Sequence, residues 1–308
     1  MTTLPSLPMY FPDSSTGFEL SDSQTCAALV GVAYQQFTVW ANLSYPSESD
    51  FSTNTQWQGQ EPSGWAGPTP GTFNYSTPIW SSFSIKFLPF SEPFGFVATD
   101  NNGNAYVVFR GTMTTADGVM DGEIEQSPLS FVNNFGNVHD GFLGVYQGLR
   151  ASLLAAVNAL TGISNIFITG HSMGSALASL ALADLANNAN LTSINYHHYN
   201  FASPRVGDTT FAAAMNGMTF PSFRIINTED LVPAAPPAIT GSIIYQHFGY
   251  PIDFTAQYGS IDGNHSMADA YGYAIINTQN PFNPNPSPFA NVVTAKGLGG
   301  HFNPLKIS

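Results

Sequence analysis

At 308 residues the chain can bury one large core, and α/β folds of this length commonly form a single domain, so residues 1–308 are read as one unit. Lys and Arg total 7 against 20 Asp and Glu, a formal charge of -13, which argues against nucleic acid partners and against electrostatic attachment to anionic membranes. No run is apolar for long enough to cross a bilayer, and residues 1–13 lack the basic flank and apolar centre of a conventional signal peptide, which fits a cytoplasmic protein, a trimmed mature chain or a leaderless secreted one.

The first element expected is a helix around Ser23 to Leu43, in which Cys26 to Tyr34 reads as a buried apolar face. Cys26 is the single cysteine, so no intramolecular disulfide can form and a packed, inert thiol is expected. Residues 42–81 follow as an insertion loop rich in Pro, Gly, Ser and Thr. Its Trp57, Trp65, Tyr75 and Trp80 either anchor a surface wrap or wall a substrate pocket. Phe94 to Thr99, the turn Asp100 to Asn104 and Ala105 to Phe109 read as a hairpin. Arg110 stands at the end of that buried second strand and is expected to pair with a carboxylate.

Ile166 to Thr169 is short, apolar and β-branched, as a strand buried on both faces should be, and Met173 to Asn187 reads as an Ala-rich helix. Between them lies Gly170-His171-Ser172-Met173-Gly174, a Gly-x-Ser-x-Gly run. A strand that passes straight into a helix forces the serine into a strained turn, and the residues two before and two after it must be small. This is the pattern of a nucleophile elbow. It would present Ser172 Oγ at the carboxyl end of the sheet, beside helix N–H groups that favour a developing oxyanion.

A serine nucleophile needs an acid and a base, which in α/β-hydrolases follow it along the chain in that order. His139 and Asp140 precede Ser172 and are set aside. Asp230 lies just past an expected strand, Phe223 to Asn227, where a catalytic carboxylate belongs, and Asp208 occupies a similar position after an earlier strand. Three histidines follow Asp230. His247 sits inside the strand-like run Ile243 to Gly249, where a packed or hydrogen-bonded role is expected, and His301 lies behind Gly297 to Gly300 near the terminus. His265 is in a polar loop leading into a helix-like stretch, the usual setting of a base, and is preferred. The last stretch, 277–308, carries Pro281, Pro284, Pro286 and Pro288 and reads as an extended strap or partly ordered end.

Six segments in order resemble the successive signatures of the class 3 lipases. They are Val107 to Thr112, Val138 to Phe142, Thr169 to Ala178, Phe201 to Gly207, Arg224 to Asn227 with Asp230 to Pro233, and Tyr245 to Gly249. The resemblance implies an α/β-hydrolase fold, with a mostly parallel central sheet, helices on both faces and a small lid. It implies Ser172 as nucleophile, Asp230 as acid and His265 as base, with the oxyanion held by the backbone N–H groups of Thr112 and Met173. It also implies a structural turn for Asp208, a packing role for His247 and a lid at 113–137. Extracellular members that use disulfides differ from this chain, whose one cysteine has no mate.

The activity so implied is hydrolysis of carboxylic esters through an acyl-enzyme, with no cofactor or metal. Within the lid segment Val119, Met120 and Ile124 are expected to form one small apolar face, with Asp117, Asp121, Glu123 and Glu125 around it in sequence. An acidic lid of this kind favours short to medium acylglycerols or simple esters over a packed lipid surface, leaving room for transient contact with neutral lipid. A feruloyl-type esterase is the main alternative, because an aromatic-rich loop suits an aromatic acyl group. A non-catalytic binding module and a peptidase are the readings from other classes. Oligomeric state is not encoded in any of these signals.

Overall fold

The computed structural model describes residues 17–85, 88–112, 124–277 and 302–307. The chain opens with α1 (Leu20–Asn42) and α2 (Glu48–Phe51), followed by β1 (Asn74–Tyr75), β2 (Ile79–Ile85), β3 (Leu88–Thr99) and β4 (Asn104–Phe109). A small hairpin of β5 (Gln126–Pro128) and β6 (Asn137–His139) leads into α3 (Asp140–Asn158). The middle of the chain then alternates: β7 (Asn165–His171), α4 (Met173–Asn188), β8 (Asn195–Phe201), α5 (Thr209–Asn216) and β9 (Ser222–Asn227). A second hairpin of β10 (Ile239–Thr240) and β11 (Ile243–Ile244) precedes β12 (Tyr250–Ala256). Last come α6 (Ile261–His265), a π-helix at Met267–Gly272, α7 (Tyr273–Asn277) and β13 (Phe302–Ile307).

The main sheet runs β1-β3-β4-β7-β8-β9-β12-β13, with β2 also on β3. Strands β4, β7, β8, β9 and β12 are parallel, and antiparallel partners flank them, β3 on one side and β13 on the other. The expected hairpin is present, with Thr99 facing Ala105 and Gly95 facing Phe109.

Alternation along the strands divides the core in two. From β4, Ala105, Val107 and Phe109 join the side chains of α3 and α4, whereas Tyr106 and Val108 join those of α1. Helices therefore cover both faces, as the near-continuous apolar strands require. Every residue from Met173 to Leu185 is buried, which explains why α4 is apolar all round rather than striped. The one charge in that stretch, Asp184, is met by Arg150 Nε at 2.7 Å, Arg150 Nη2 at 2.9 Å and the Tyr146 hydroxyl at 2.9 Å, which ties α3 to α4.

Residues 42–81 wrap the α1 side of the sheet. Trp57 is fully buried with its ring 5.1 Å from that of Phe96, and Trp80 meets Trp40 edge-on at 5.6 Å. These two rings anchor a wrap, and Trp65 and Tyr75 pack, partly buried, against the same core. Of the lid segment, 113–123 lies outside the described residues, while 126–128 pairs with 137–139 and Leu129 and Val132 are buried in the core. Asp208 accepts from Phe211 N at 2.8 Å and from Asn137 N and Nδ2 at 3.0 Å, the structural turn implied for it. One boundary differs from expectation: the run Ile243 to Gly249 is a strand only at Ile243–Ile244, after which Gln246 makes an isolated bridge to Gly207. His301 lies outside the described residues. The described part of the tail is a strand on β12.

Two histidines, His198 fully buried and His247 partly so, give the fold a pH dependence. His198 in β8 bonds the Ser222 hydroxyl through Nδ1 at 2.6 Å and stacks on Phe248, and His247 contacts the Pro233 carbonyl through Nε2 at 2.8 Å. Burial lowers both rings from their ordinary value to about 3, so the fold keeps them neutral where an unfolded chain would protonate them. The unfolded state therefore binds more protons between about pH 6.5 and 3, and stability is complete above that window and is lost as pH falls through it. Urea unfolding should show a free energy that declines below about pH 6.5, by up to about 1.4 kcal/mol per pH unit for each histidine. In His198→Gln that slope should be shallower; an unchanged slope would sink the assignment.

Candidate active site

The elbow forms because β7 runs into α4 with one residue between them. Ser172 is that residue, at φ 58° and ψ -128°, a conformation that costs a residue with a Cβ on the order of 1–3 kcal/mol. The turn is possible only with glycine on both sides. A Cβ on Gly170 would overlap the Gly174 carbonyl, and one on Gly174 would lie 2.6 Å from the Phe109 carbonyl oxygen. The serine is locked by its own N–H, which donates to the Phe201 carbonyl at 3.0 Å. The Ser175 hydroxyl, 2.7 Å from the carbonyl oxygens of both Gly170 and Phe201, joins the ends of β7 and β8 beneath it. Ser172 occupies the N-cap position of α4 without capping it by its side chain, which leaves the Met173 N–H at the open end of the helix, while Ser175 N donates to the Ser172 carbonyl at 2.9 Å.

The Ser172 side chain turns instead to His265. His265 Nε2 lies 2.8 Å from Ser172 Oγ, and His265 Nδ1 lies 2.8 Å from Asp230 Oδ2. The structure thus brings together the three side chains singled out in the sequence, on a loop after β9, at the end of α6 and at the elbow. Asp208 caps α5 and His247 packs against Pro233, away from this constellation. Asp230 is 5% exposed, and its other oxygen accepts the Val232 N–H at 3.0 Å. The Tyr271 hydroxyl donates to Asp230 Oδ2 at 2.6 Å, and burial, with the Asp230 charge, holds that phenol well above its ordinary range. With Tyr271 and the imidazole both donating, Asp230 is an acceptor throughout and fixes the proton of His265 on Nδ1. Nε2 is left to accept from Ser172.

Two asparagines hold the loops of the acid and the base together. Asn227 Nδ2 donates to the carbonyls of Ala256 and Asn264, and Asn264 Nδ2 donates to that of Glu229. Asn264 Oδ1 accepts from Tyr258 N at 2.7 Å. The residues preceding Asp230 and His265, Glu229 and Asn264, are thereby pinned to each other and, through Asn227, to the end of β12.

On the other side of the serine, β4 ends in Phe109-Arg110-Gly111-Thr112. Arg110 is fully buried between the rings of Phe37 and Phe94, at 4.2 and 4.6 Å, and pairs with Glu92 at 3.2 Å, the carboxylate expected for it. Its Nε donates to the Pro93 carbonyl and its Nη1 to the Gly111 carbonyl at 2.7 Å. A trans peptide sets C=O and N–H in opposite directions, so the grip on Gly111 C=O also fixes where Thr112 N–H points. Gly111 itself has no room for a side chain, because a Cβ would lie 2.9 Å from Ser172 Cβ. Among the described residues no cluster of His, Cys, Asp and Glu has the makings of a metal site.

Sequence reasoning missed Tyr271, Asn227, Asn264 and Glu92. Tyr271 was legible only as an apolar helix position, although a tyrosine on a buried face needs a partner for its hydroxyl. Asn227 and Asn264 lie beside the acid and the base in sequence, but nothing local says that they meet.

The profile described as Lipase (class 3) matches residues 106–240. The chain is 33% identical over 156 residues to secreted mono- and diacylglycerol lipase 1 of Fusarium solani, a match covering 49% of this chain and 44% of that protein. To a lipase of Rhizomucor miehei it is 34% identical over 149 residues, covering 46% of this chain and 40% of the relative. The chain therefore spans less than half the length of these curated relatives. Among solved structures, lipase II of Rhizopus niveus superposes with a TM-score of 0.54 at 25% identity, over 76% of this chain and 80% of that one. The propeptide complex of Rhizomucor miehei lipase gives a TM-score of 0.55 at 23% identity, over 82% and 73%. The architecture is that of the α/β-hydrolases, and over residues 106–240 the chain is similar to the class 3 lipases.

Proposed function

We propose that this protein is a serine carboxylic ester hydrolase in which Ser172 is the nucleophile, His265 the base and Asp230 the acid that orients it. The observation that carries the reading is one imidazole 2.8 Å from both Ser172 Oγ and Asp230 Oδ2, beside a helix N-terminus that its own N-cap side chain leaves open. The order of events follows from the donors and acceptors. His265 Nε2 takes the proton as Oγ attacks the ester carbonyl, and Asp230 stabilises the imidazolium that results. The N–H groups of Thr112 and Met173 receive the oxyanion. The imidazolium then protonates the leaving alcohol, and water repeats the two steps on the acyl-enzyme.

Short to medium acylglycerols or simple esters are the substrates proposed. Leu231, which follows Asp230, is 48% exposed, and Ile261, which opens the short helix ending in His265, is 38% exposed, so apolar surface is available close in sequence to the acid and the base. The four carboxylates Asp117, Asp121, Glu123 and Glu125 weigh against a packed anionic interface. Trp57 and Trp80 are committed to the core, which weighs against the aromatic loop as a site for an aromatic acyl group. Among the described residues no helix is long and apolar enough to cross a membrane, and neutral lipid would be met by transient contact.

Ser172→Ala should abolish hydrolysis of nitrophenyl esters and labelling by a fluorophosphonate while leaving thermal unfolding cooperative; residual wild-type turnover would refute the nucleophile. Asp230→Asn, which lets His265 adopt the wrong tautomer, should lower kcat on the order of 10⁴-fold. Across a series of nitrophenyl acyl lengths together with methyl ferulate, short and medium chains should give the highest kcat/KM. The rate on tributyrin should rise smoothly through its solubility limit, and a sharp increase there, or preference for ferulate, would overturn the substrate assignment.

A further inference from the structure

Tyr34 belongs to α1, on the face of the sheet opposite α3 and α4, and its hydroxyl reaches the elbow from there. Tyr34 Oη accepts the Gly111 N–H at 3.1 Å and lies 2.7 Å from His171 Nδ1. His171 Nε2 lies 2.9 Å from the main-chain carbonyl oxygen of His265, and the two imidazoles pack with centroids 4.6 Å apart. Protons fit this chain in one arrangement. A carbonyl only accepts, so Nε2 carries the ring proton of His171, and Nδ1 is the acceptor. Tyr34 must then donate its single proton to Nδ1, and its oxygen remains to receive Gly111 N–H. Burial, reinforced by His265 nearby, drives the His171 pKa well down, and burial pushes Tyr34 up to about 12, so both groups stay neutral at the pH of turnover.

The two ends of the chain are the parts of the site that must be held in register about Ser172. Gly111 precedes Thr112, and its position is fixed from both directions, its carbonyl by Arg110 and its N–H by Tyr34. A Cβ on Gly111 would come within 2.5 Å of Tyr34 Oη, so the two are in contact without slack. At the other end, the His265 carbonyl is the backbone of the base itself. We propose that Tyr34 and His171 are positioning residues, forming a relay from Gly111 N–H through Tyr34 O–H to His171, and from His171 Nε2–H to the His265 carbonyl, that holds the oxyanion loop and the base at a common distance from the serine. The proposal rests on the hydrolase reading above. Both ring nitrogens of His171 are occupied by protein partners, so neither it nor Tyr34 is left to bind substrate. Loss of the relay therefore falls on the transition state, where the oxyanion contact and the proton transfer are made, and not on ground-state binding.

Steady-state kinetics on nitrophenyl butyrate, with thermal unfolding alongside, tests this in Tyr34→Phe, His171→Leu, His171→Gln and the double variant Tyr34→Phe/His171→Leu. Tyr34→Phe and His171→Leu should each lower kcat at least tenfold with KM within twofold of wild type. His171→Gln, which keeps an amide N–H near the Nε2 position, should recover most of the loss seen in His171→Leu. Since the relay acts as one unit, the double variant should be no slower than the worse single one, whereas independent lesions would multiply. A kcat for Tyr34→Phe within twofold of wild type, multiplying losses, or a fall confined to KM would each overturn the relay. Should Tyr34→Phe not fold, the comparison of His171→Leu with His171→Gln decides alone, and equal activity of those two overturns the proposal. Wild-type protein that neither hydrolyses the ester nor takes up a fluorophosphonate at Ser172 would instead defeat the hydrolase reading, an outcome independent of the relay variants.

Discussion

The site depends on two backbones being allowed to touch. Where α4 begins, Gly174 presses on the carbonyls of Phe109 and Arg110 at the end of β4, and this contact brings Gly111 up against Ser172. A strained serine conformation can persist only where its surroundings over-determine it. Here the Phe201 carbonyl takes the Ser172 N–H, and the Ser175 hydroxyl binds the ends of two adjacent strands. The strain is thus stored in the middle of the most deeply buried part of the sheet, flanked on one side by a helix with no exposed residue from Met173 to Leu185. Burial of α4 is what makes the elbow rigid, and rigidity is what lets a single imidazole be placed correctly.

Around this fixed point the polar groups are organised as a closed set. Asp230 receives the Val232 N–H, the Tyr271 hydroxyl and the His265 ring, Asn227 and Asn264 splice the acid loop to the base loop, and Arg110 with Glu92 braces the opposite wall. The low dielectric of such a site strengthens each of these bonds and makes any missing partner costly. Few of the participants are charged. For a chain with so few cations this is consistent economy: Arg110 is placed once, inside, where its fork grips two carbonyls and a carboxylate together.

Much of this was legible in the sequence, and the reasons differ by element. The strand-elbow-helix at 165–188 was readable because its requirement is local: small residues two before and two after the serine, an apolar run on one side and an Ala-rich run on the other. The hairpin of β3 and β4 was readable from its polar turn. Asp230 could be placed after β9, but residue order left Asp208 equally suitable; the distinction lies in contacts with Asn137 and Phe211 that no spacing encodes. His247 looked strand-bound because Ile243 to Gly249 is apolar and aromatic, yet the chain leaves strand geometry after Ile244 and meets Gly207 through a single bridge. The middle residue of the first half of the elbow motif, His171, passed as a neutral letter x, and Tyr34 as one more apolar position on α1. Both are polar groups whose partners come from segments 77 to 137 residues away, beyond the reach of local pattern.

The π-helix after His265 has a consequence of its own. Tyr271 N reaches back five residues to the Ser266 carbonyl at 3.2 Å, while Ala270 N reaches back four to the same oxygen, so the turn holds one residue more than an α-helix would. Each residue of an α-helix advances the side-chain direction by about 100°, and the additional one sets the phase at which the Tyr271 hydroxyl meets Asp230. Chain length in this turn therefore sets where the Tyr271 hydroxyl falls. Shortening it by one residue would turn the Tyr271 side chain by about 100° from the direction in which it meets Asp230. The register of the backbone, together with the Tyr271 hydroxyl that it aims at Asp230, is what that turn contributes.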